Sequence, residues 1–423
     1  MIRFLRYSVL LLLAFFVLYI DSMGGESGET IRQIWKVPIL IYMLYKGLGS
    51  FGMAFLKCRT WYAIVKLFNK DTLVAFSSNA SICMKAISLP IFIAYISRRM
   101  NKKQVLKTLL FLSYAFIFSM VPYNLGIIEE SHSYIGAEIL GTKSLIGPFV
   151  NAHTASVVLA CSALALLAYT IYIEMARIYK VVNFIILIIA LYFLFLTYVR
   201  TGLLMVTVGV FFLFLPKRGL HKRILYGLVF FAIAYGSIHY LISENVIFKQ
   251  RMLEQNQNNV KGHHEEVTGN GRLYFWYTSY QLWYNSQDLQ HYLFGYGFGD
   301  LSKEQEKQNG LTIGSHNGFI DALTQNGLVG LTLLSLYYIL LFRFNLKYRK
   351  SRFFQLFLAW FMMDLSFQMV QGGVFIFYDF MSALIIMLPK LDMDSYKEGK
   401  KEKEKLYIII SKRYKKLSEF VDL

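Results

Sequence analysis

The chain has 423 residues, of which 56% are hydrophobic and 17% aromatic, while only 17% are charged. This composition excludes an ordinary soluble protein, and repeated apolar runs of about 20 residues are typical of transmembrane helices. The formal net charge of +18 does not indicate nucleic-acid binding, because the basic residues cluster between apolar runs, as in positive-inside loops.

In chain order, apolar runs of suitable length predict eleven clear membrane spans. They lie near residues 4–20, 37–56, 78–96, 104–121, 151–173, 181–198, 202–216, 224–242, 317–342, 353–371 and 373–389. Basic clusters at 98–107, 217–223, 343–352 and after Lys390 are expected to be cytoplasmic. With a cytoplasmic N-terminus, eleven spans would place the basic cluster at 98–107 outside, so we add a weaker span at 60–77. The sequence therefore predicts an all-α, polytopic membrane helical bundle of about twelve transmembrane helices with both termini cytoplasmic.

This topology divides the chain into a transmembrane domain, residues 1–389, and a charged cytoplasmic tail, residues 390–423. The longest polar segment, about 243–316, becomes a large external loop, and a loop of this length usually carries function or is disordered. Within it the spacing of polar and aromatic residues predicts one helix, from Arg272 to Gln287.

One histidine lies where the external loop meets an apolar span, in Ser315-His316-Asn317-Gly318. Ser315 is a suitable helix N-cap, so His316 is predicted in the first helical turn at the outer membrane face. A neutral imidazole there suits a general base, since its unperturbed pKa is about 6.5. The alternative is an interfacial histidine that caps the helix or reaches toward the lipid headgroups.

Charged residues near or inside spans supply further candidates. Arg200 lies between two spans at the predicted outer end, where positive residues are disfavoured, and a guanidinium can bind phosphate with two hydrogen bonds. A lipid-headgroup contact is the alternative. Arg272 is a second candidate anion ligand. Asp364, near the middle of its span, would orient His316, bind a substrate hydroxyl, or form a structural Asp–Lys pair.

Several other motifs are interpreted as structural. Gly295-Tyr296-Gly297 is predicted to be a flexible turn, and Asn151 a helix cap. The aromatic residues of 274–284 are expected to form an interfacial belt, with one or two rings lining a sugar cleft. His263-His264-Glu265-Glu266 is interpreted as solvated, and no metal site and no cofactor are predicted.

Four residues fit a known signature: a histidine, then Asn, Ser or Gln, nine residues, Gly, two residues, and Gly, Thr or Tyr. They are His316, Asn317, Gly327 and Gly330. The chain thereby resembles the O-antigen ligase and polymerase family. The Arg200-Thr201-Gly202 turn, the Gly271-Arg272 pair and the large loop before the histidine-bearing span are similar too.

The resemblance implies a GT-C-type glycosyltransferase in the bacterial cytoplasmic membrane. Its reaction would be a metal-independent, inverting transfer from a polyprenyl-pyrophosphate-linked oligosaccharide on the outer face. His316 would deprotonate the acceptor hydroxyl, with Asn317 and Asp364 as supporting residues, while Arg200 and Arg272 would hold the departing pyrophosphate.

Within this class we favour a polysaccharide polymerase, because a ligase needs a separate lipid or wall acceptor for which the sequence gives no sign. The partners would then be the lipid-linked oligosaccharide, membrane lipid, and a chain-length regulator and flippase. A lipid-linked oligosaccharide flippase is the alternative of another class, although no internal repeat is visible. A third alternative, a noncatalytic membrane scaffold, would give His316 and Arg200 no function.

Overall fold

The computed structural model describes residues 36–68, 76–129, 144–149, 151–216, 219–244, 272–286, 288–309, 315–373 and 375–421. Within them every regular element is helical and no strand occurs, which confirms the predicted all-α class. The helices are α1 (Lys36–Gly47), a 3-10 turn (Leu48–Ser50), α2 (Ala54–Phe68), α3 (Phe76–Arg99), α4 (Lys102–Asn124), α5 (Ala152–Tyr172), α6 (Arg177–Leu196), α7 (Arg200–Phe214), α8 (Leu220–Glu244), α9 (Arg272–Tyr284), α10 (Leu289–Phe294), α11 (Gly297–Asn309), α12 (Gly318–Leu346), α13 (Phe354–Val370) and α14 (Ile376–Val421). The predicted span at 4–20 lies outside the described residues.

Four helices of the described part are long and apolar enough to cross a membrane: α4, α5, α6 and α12. Two shorter helices, α7 and α13, are also apolar. The protein is therefore a membrane protein by the length and composition of its helices. The total of about twelve spans remains a prediction.

Helix α5 lies at the centre of the bundle. Almost all of its side chains are buried, and it packs against α4, α6 and α7. Its start is fixed by Asn151, whose side chain accepts a hydrogen bond of 2.8 Å from the backbone N–H of Thr154, as predicted. By contrast, α6 and α8 expose many large apolar side chains, which suits helices that face lipid acyl chains.

The predicted span at 37–56 is wrong, because the chain breaks there into α1, the 3-10 turn and α2. Gly47 ends α1 in close contact with α3, where an added Cβ would lie 2.9 Å from the backbone nitrogen of Tyr95. Gly49 and Gly52 follow at once, and glycine is a poor helix former. Three glycines within six residues therefore stop the helix although the composition stays apolar.

The predicted span at 317–342 corresponds to α12 but is not one continuous helix, because α12 folds back on itself at Gly327. That residue has φ 64° and ψ −167°, which is not helical. The rings of Phe319 and Tyr338 have centroids 5.8 Å apart, whereas a straight helix would separate them by about 28 Å along its axis. Residues 318–326, hereafter the re-entrant segment, therefore lie beside the longer second half of α12.

The turn at Gly327 is covered by α10. An added Cβ on Gly327 would lie 2.2 Å from the carbonyl carbon of Leu293, and one on Gly295 would lie 2.3 Å from that of Gln325. The backbone N–H of Tyr296 donates a 2.9 Å hydrogen bond to the carbonyl of Thr324. Gly295-Tyr296-Gly297 is thus a packed docking contact, and the predicted flexible turn is wrong.

Two further segments complete the described chain. The predicted helix at 272–287 is confirmed as α9, whereas α10 and α11 of the same polar segment were not predicted. Helix α14 runs without interruption through Pro389 to Val421, across the predicted boundary between the transmembrane domain and the tail. The division into those two domains therefore remains a prediction.

Candidate active site

His316 lies in a short loop, residues 315–317, immediately before the re-entrant segment. Its φ of 53° is in the left-handed region, which a non-glycine residue adopts only where neighbouring contacts hold it. The helix begins at Gly318, and its N-cap is Asn317, whose side chain accepts hydrogen bonds from the backbone N–H groups of Phe319 and Ile320. The prediction that Ser315 caps the helix, with His316 in its first turn, is therefore wrong.

Ser315 and Asp321 brace the His316 loop instead. The Ser315 hydroxyl donates a 2.7 Å hydrogen bond to the Asp321 carboxylate, and its backbone N–H donates another of 3.2 Å to the same oxygen. The backbone N–H of Asn317 donates a 3.1 Å hydrogen bond to the Ser315 hydroxyl. Residues on both sides of the histidine are thus fixed, which offsets the cost of its backbone conformation.

Gln371 contacts the imidazole directly. Its side-chain nitrogen lies 3.3 Å from Nδ1 of His316. It begins a loop, residues 371–373, that follows α13 and packs against the His316 loop. At Gly372, which has φ 64°, an added Cβ would lie 2.7 Å from the backbone nitrogen of Gly318. The two loops therefore meet backbone to backbone.

Arg200 lies at the same end of the bundle as Gln371. Helices α7 and α13 pack together and run antiparallel: Gln355, near the start of α13, donates to the carbonyl of Phe212 near the end of α7 (2.5 Å). Nearer the start of α7 and the end of α13, a Cβ on Gly209 would lie 3.5 Å from the Met363 sulfur. At a rise of 1.5 Å per residue, Arg200 lies about 14 Å from the level of Gly209, and Gln371 lies about 12 Å from the level of Met363. Because the helices are antiparallel, both displacements are toward the same end of the bundle.

Backbone strain marks both segments. Within the described part of the chain, the non-glycine residues with positive φ are Tyr198, at 52°, and His316, at 53°. Tyr198 is two residues from Arg200. Such conformations cost on the order of 1–3 kcal/mol and cluster at functional sites, so their occurrence beside both predicted site residues supports a functional role.

The remaining predicted residues stand as follows. Arg272 is the first residue of α9, and its side chain lies outside the described part of the structure. Helix α9 packs against α12, the helix that follows His316. The segment 263–266 also lies outside the described residues. Among the described residues, no group of three or more His, Cys, Asp and Glu side chains could hold a metal ion.

Asp364 belongs to a buried polar cluster rather than to a pair with a lysine. Its carboxylate accepts hydrogen bonds from the hydroxyls of Tyr338 (2.7 Å) and Tyr378 (2.8 Å). Arg59 of α2 and Asp379 of α14 line the same small cavity. Of the three alternatives for Asp364, the Asp–Lys pair is therefore wrong, and its hydrogen bonds connect α13 with α12 and α14.

Arg59 is the cation of this cluster. Its guanidinium lies 5.3 Å from the ring centroids of both Tyr62 and Tyr337. Asp379 accepts a 2.5 Å hydrogen bond from the hydroxyl of Ser88. Together these contacts link α2, α3, α12 and α14 in the interior of the bundle.

The described helices thus form a membrane protein with a braced histidine and an arginine at the same end of its bundle. Residues 185–335 match the family model described as O-antigen ligase. The predicted resemblance is thereby confirmed over these residues: the match is consistent with the O-antigen polymerase and ligase family, and proteins that carry this domain are membrane glycosyltransferase-like enzymes. No curated protein matches the chain.

The matched region contains Arg200, Arg272 and His316 but not Gln371 or Arg59. Sequence reasoning missed Gln371, Asp321 and Arg59 as parts of this site. The sequence does contain a signal for Gln371, because Gln371-Gly372-Gly373 places a polar side chain and two glycines between two apolar spans. Asp321 also carried a signal, because it is an acidic residue inside the predicted span at 317–342, whereas the partners of Arg59 are set by the fold.

Proposed function

We propose that the protein is a polysaccharide polymerase that joins polyprenyl-pyrophosphate-linked oligosaccharide repeat units on the outer face of the bacterial cytoplasmic membrane. The observation that carries this proposal is the braced His316 at the same end of the bundle as Arg200, inside a domain of this family. The family match supports transfer of glycans from a lipid-linked oligosaccharide.

In the proposed mechanism His316 is the general base. In the tautomer with the proton on Nδ1, that N–H donates a hydrogen bond to the side-chain oxygen of Gln371, and Nε2 is left to accept the proton of the acceptor hydroxyl. A rotation of the Gln371 amide presents its oxygen to Nδ1 in place of its nitrogen. The acceptor oxygen then attacks the anomeric carbon as the bond to the diphosphate breaks, which inverts the configuration.

Arg200 and Arg272 are proposed to bind the departing diphosphate. Two guanidinium groups can balance its negative charge through paired hydrogen bonds, so the leaving group needs no divalent cation. Arg200 begins α7, and the positive end of the helix dipole adds to its charge.

The topology that we propose has about twelve spans, a GT-C-type arrangement, cytoplasmic termini and an external site. In it, the re-entrant segment carries His316 below the turn at Gly327, and α10 covers that turn on the outer side. The short helices α7 and α13 would leave room above their ends for the lipid diphosphate.

The test is His316→Ala, with His221→Ala as the matched control because His221 is an exposed histidine on α8. Loss of a general base costs about 10²–10⁴ in rate. We expect His316→Ala to abolish long-chain glycan while lipid-linked repeat units accumulate on the outer face, and His221→Ala to behave as the wild type. Normal chain length in the His316 variant would refute the proposal.

A ligase is the second candidate, because the matching family model carries that description. The same variant distinguishes the two. A polymerase defect leaves single repeat units on the lipid, whereas a ligase defect leaves full-length chains on it. A flippase would instead leave repeat units on the cytoplasmic face.

A further inference from the structure

A cavity of about 450 Å³ opens beside the turn that carries Arg200. Its walls come from the end of α4, the segment after it, the residues before α5, and the α6–α7 turn. The polar and aromatic residues are Tyr123, Asn124, Glu129, Ser144 and Tyr198. Its volume lies within the range of about 300–1,000 Å³ that is usual for small-ligand sites.

The wall of this cavity and Arg200 are parts of one turn. Tyr198 is two residues from Arg200, so their Cα atoms are at most about 7 Å apart. The turn is fixed by the Thr197 hydroxyl, which donates to the carbonyl of Leu194 (2.7 Å). The backbone N–H of Leu145 donates to the carbonyl of Leu196 (3.0 Å), which ties the opposite wall to the same turn.

We propose that this cavity binds the sugar residues next to the diphosphate of the lipid-linked donor. The assignment rests on the proposed function, in which Arg200 binds that diphosphate. In such a donor the first sugar is bonded directly to the diphosphate. A sugar site must therefore adjoin the anion site, as the cavity adjoins Arg200.

The chemistry of the cavity selects the sugar over the other two parts of the donor. The carboxylate of Glu129 disfavours the diphosphate by charge, and Glu129 and Asn124 are both exposed polar residues that a polyprenyl chain would have to desolvate. A sugar supplies hydroxyl or amide donors to the carboxylate and an apolar ring face to the half-buried Tyr198. The same carboxylate disfavours an acidic sugar at this position, so a neutral or N-acetylated sugar is expected.

The test compares two probes on the full-length protein in detergent: the lipid-linked repeat unit that accumulates in His316→Ala cells, and a bare polyprenyl diphosphate. The variants are Glu129→Gln and Asn124→Ala. Glu174→Gln is the matched control, because it removes the same charge from an exposed residue after α5, at the opposite end of the bundle. Binding is measured by fluorescence titration.

We expect the Glu129 variant to raise the dissociation constant of the repeat unit about tenfold, since a hydrogen bond to a charged group is lost, and the Asn124 variant to raise it less. Binding of the bare diphosphate and all binding by the control should stay within about twofold of the wild type. Unchanged binding of the repeat unit in both cavity variants would overturn the assignment. That result leaves the proposed function intact, whereas normal polymer in His316→Ala cells would remove both.

Discussion

The replacement Gly327→Ala tests whether the re-entrant turn positions His316. At φ 64° and ψ −167° the backbone of Gly327 lies in a region that essentially only glycine adopts, and holding another residue there costs about 1–3 kcal/mol. The added Cβ would also lie 2.2 Å from both the carbonyl carbon and the oxygen of Leu293. These are backbone atoms and cannot move aside as the end of a side chain can.

The chain must therefore relieve the contact by separating α10 from the turn or by changing the turn itself. Either movement shifts the re-entrant segment and with it His316, and a misplacement of about 1 Å can reduce the rate about 10²-fold. We expect Gly327→Ala to lower the free energy of unfolding by about 3 kcal/mol and to shorten or abolish the polymer.

The assays are thermal unfolding in detergent and the length distribution of the surface glycan. Gly227→Ala on α8 is the control, because nothing lies within 4 Å of the Cβ it adds. Alanine is a better helix former than glycine by about 0.5–1 kcal/mol, so this variant should be as stable as the wild type or more stable. Wild-type stability and polymer length in Gly327→Ala would refute the re-entrant turn as described.

Three other replacements test the site. Gln371→Leu should reduce kcat about ten- to hundredfold with little change in KM. Gln371→Glu should keep much of the wild-type kcat but move the acid limb of the pH–rate profile to higher pH, because a carboxylate favours the protonated form of the His316 base. An unshifted profile would contradict direct contact between the two side chains. Arg200→Ala should raise KM for the lipid donor more than Arg200→Lys, which keeps the charge but loses the paired hydrogen bonds; equal, near-wild-type values would indicate a headgroup contact. Asp364→Ala should destabilise the fold by about 3 kcal/mol in thermal unfolding, and Tyr338→Phe by about 1 kcal/mol, since each leaves buried polar groups without partners; equal melting temperatures in all three proteins would contradict the buried cluster.

The sequence allowed the helices to be predicted where apolar runs are bounded by polar clusters. The predicted spans at 104–121 and 151–173 correspond to α4 and α5 within a few residues. The ends of these helices are local features, since Asn101 and Asn151 each accept a hydrogen bond from the first turn. Such information lies within a few neighbouring residues and is visible in the sequence.

The fold-back of α12 could not be predicted in this way. The residues after Gly327 are strongly apolar and glycine is common in transmembrane helices, so the polar side chains of Asp321, Gln325 and Asn326 before it do not by themselves indicate a turn. The close approach of the Leu293 backbone, which requires glycine at this turn, comes from another helix and is not visible in the sequence around Gly327. The tyrosine partners of Asp364 are likewise set by packing between helices, 26 and 14 residues away in the chain.

The structure gives a physical reason for the spacing of the motif that begins at His316. The nine residues after Asn317 form the re-entrant segment, and at 1.5 Å per residue they rise about 14 Å from the histidine to the turn. Gly327 makes that turn, and a Cβ on Gly330 would lie 2.3 Å from the Cβ of Asn326, so both glycines are needed to let the two halves pack. The spacing thus sets the level at which the imidazole lies beside Gln371, which is why a histidine and two distant glycines act together as one motif.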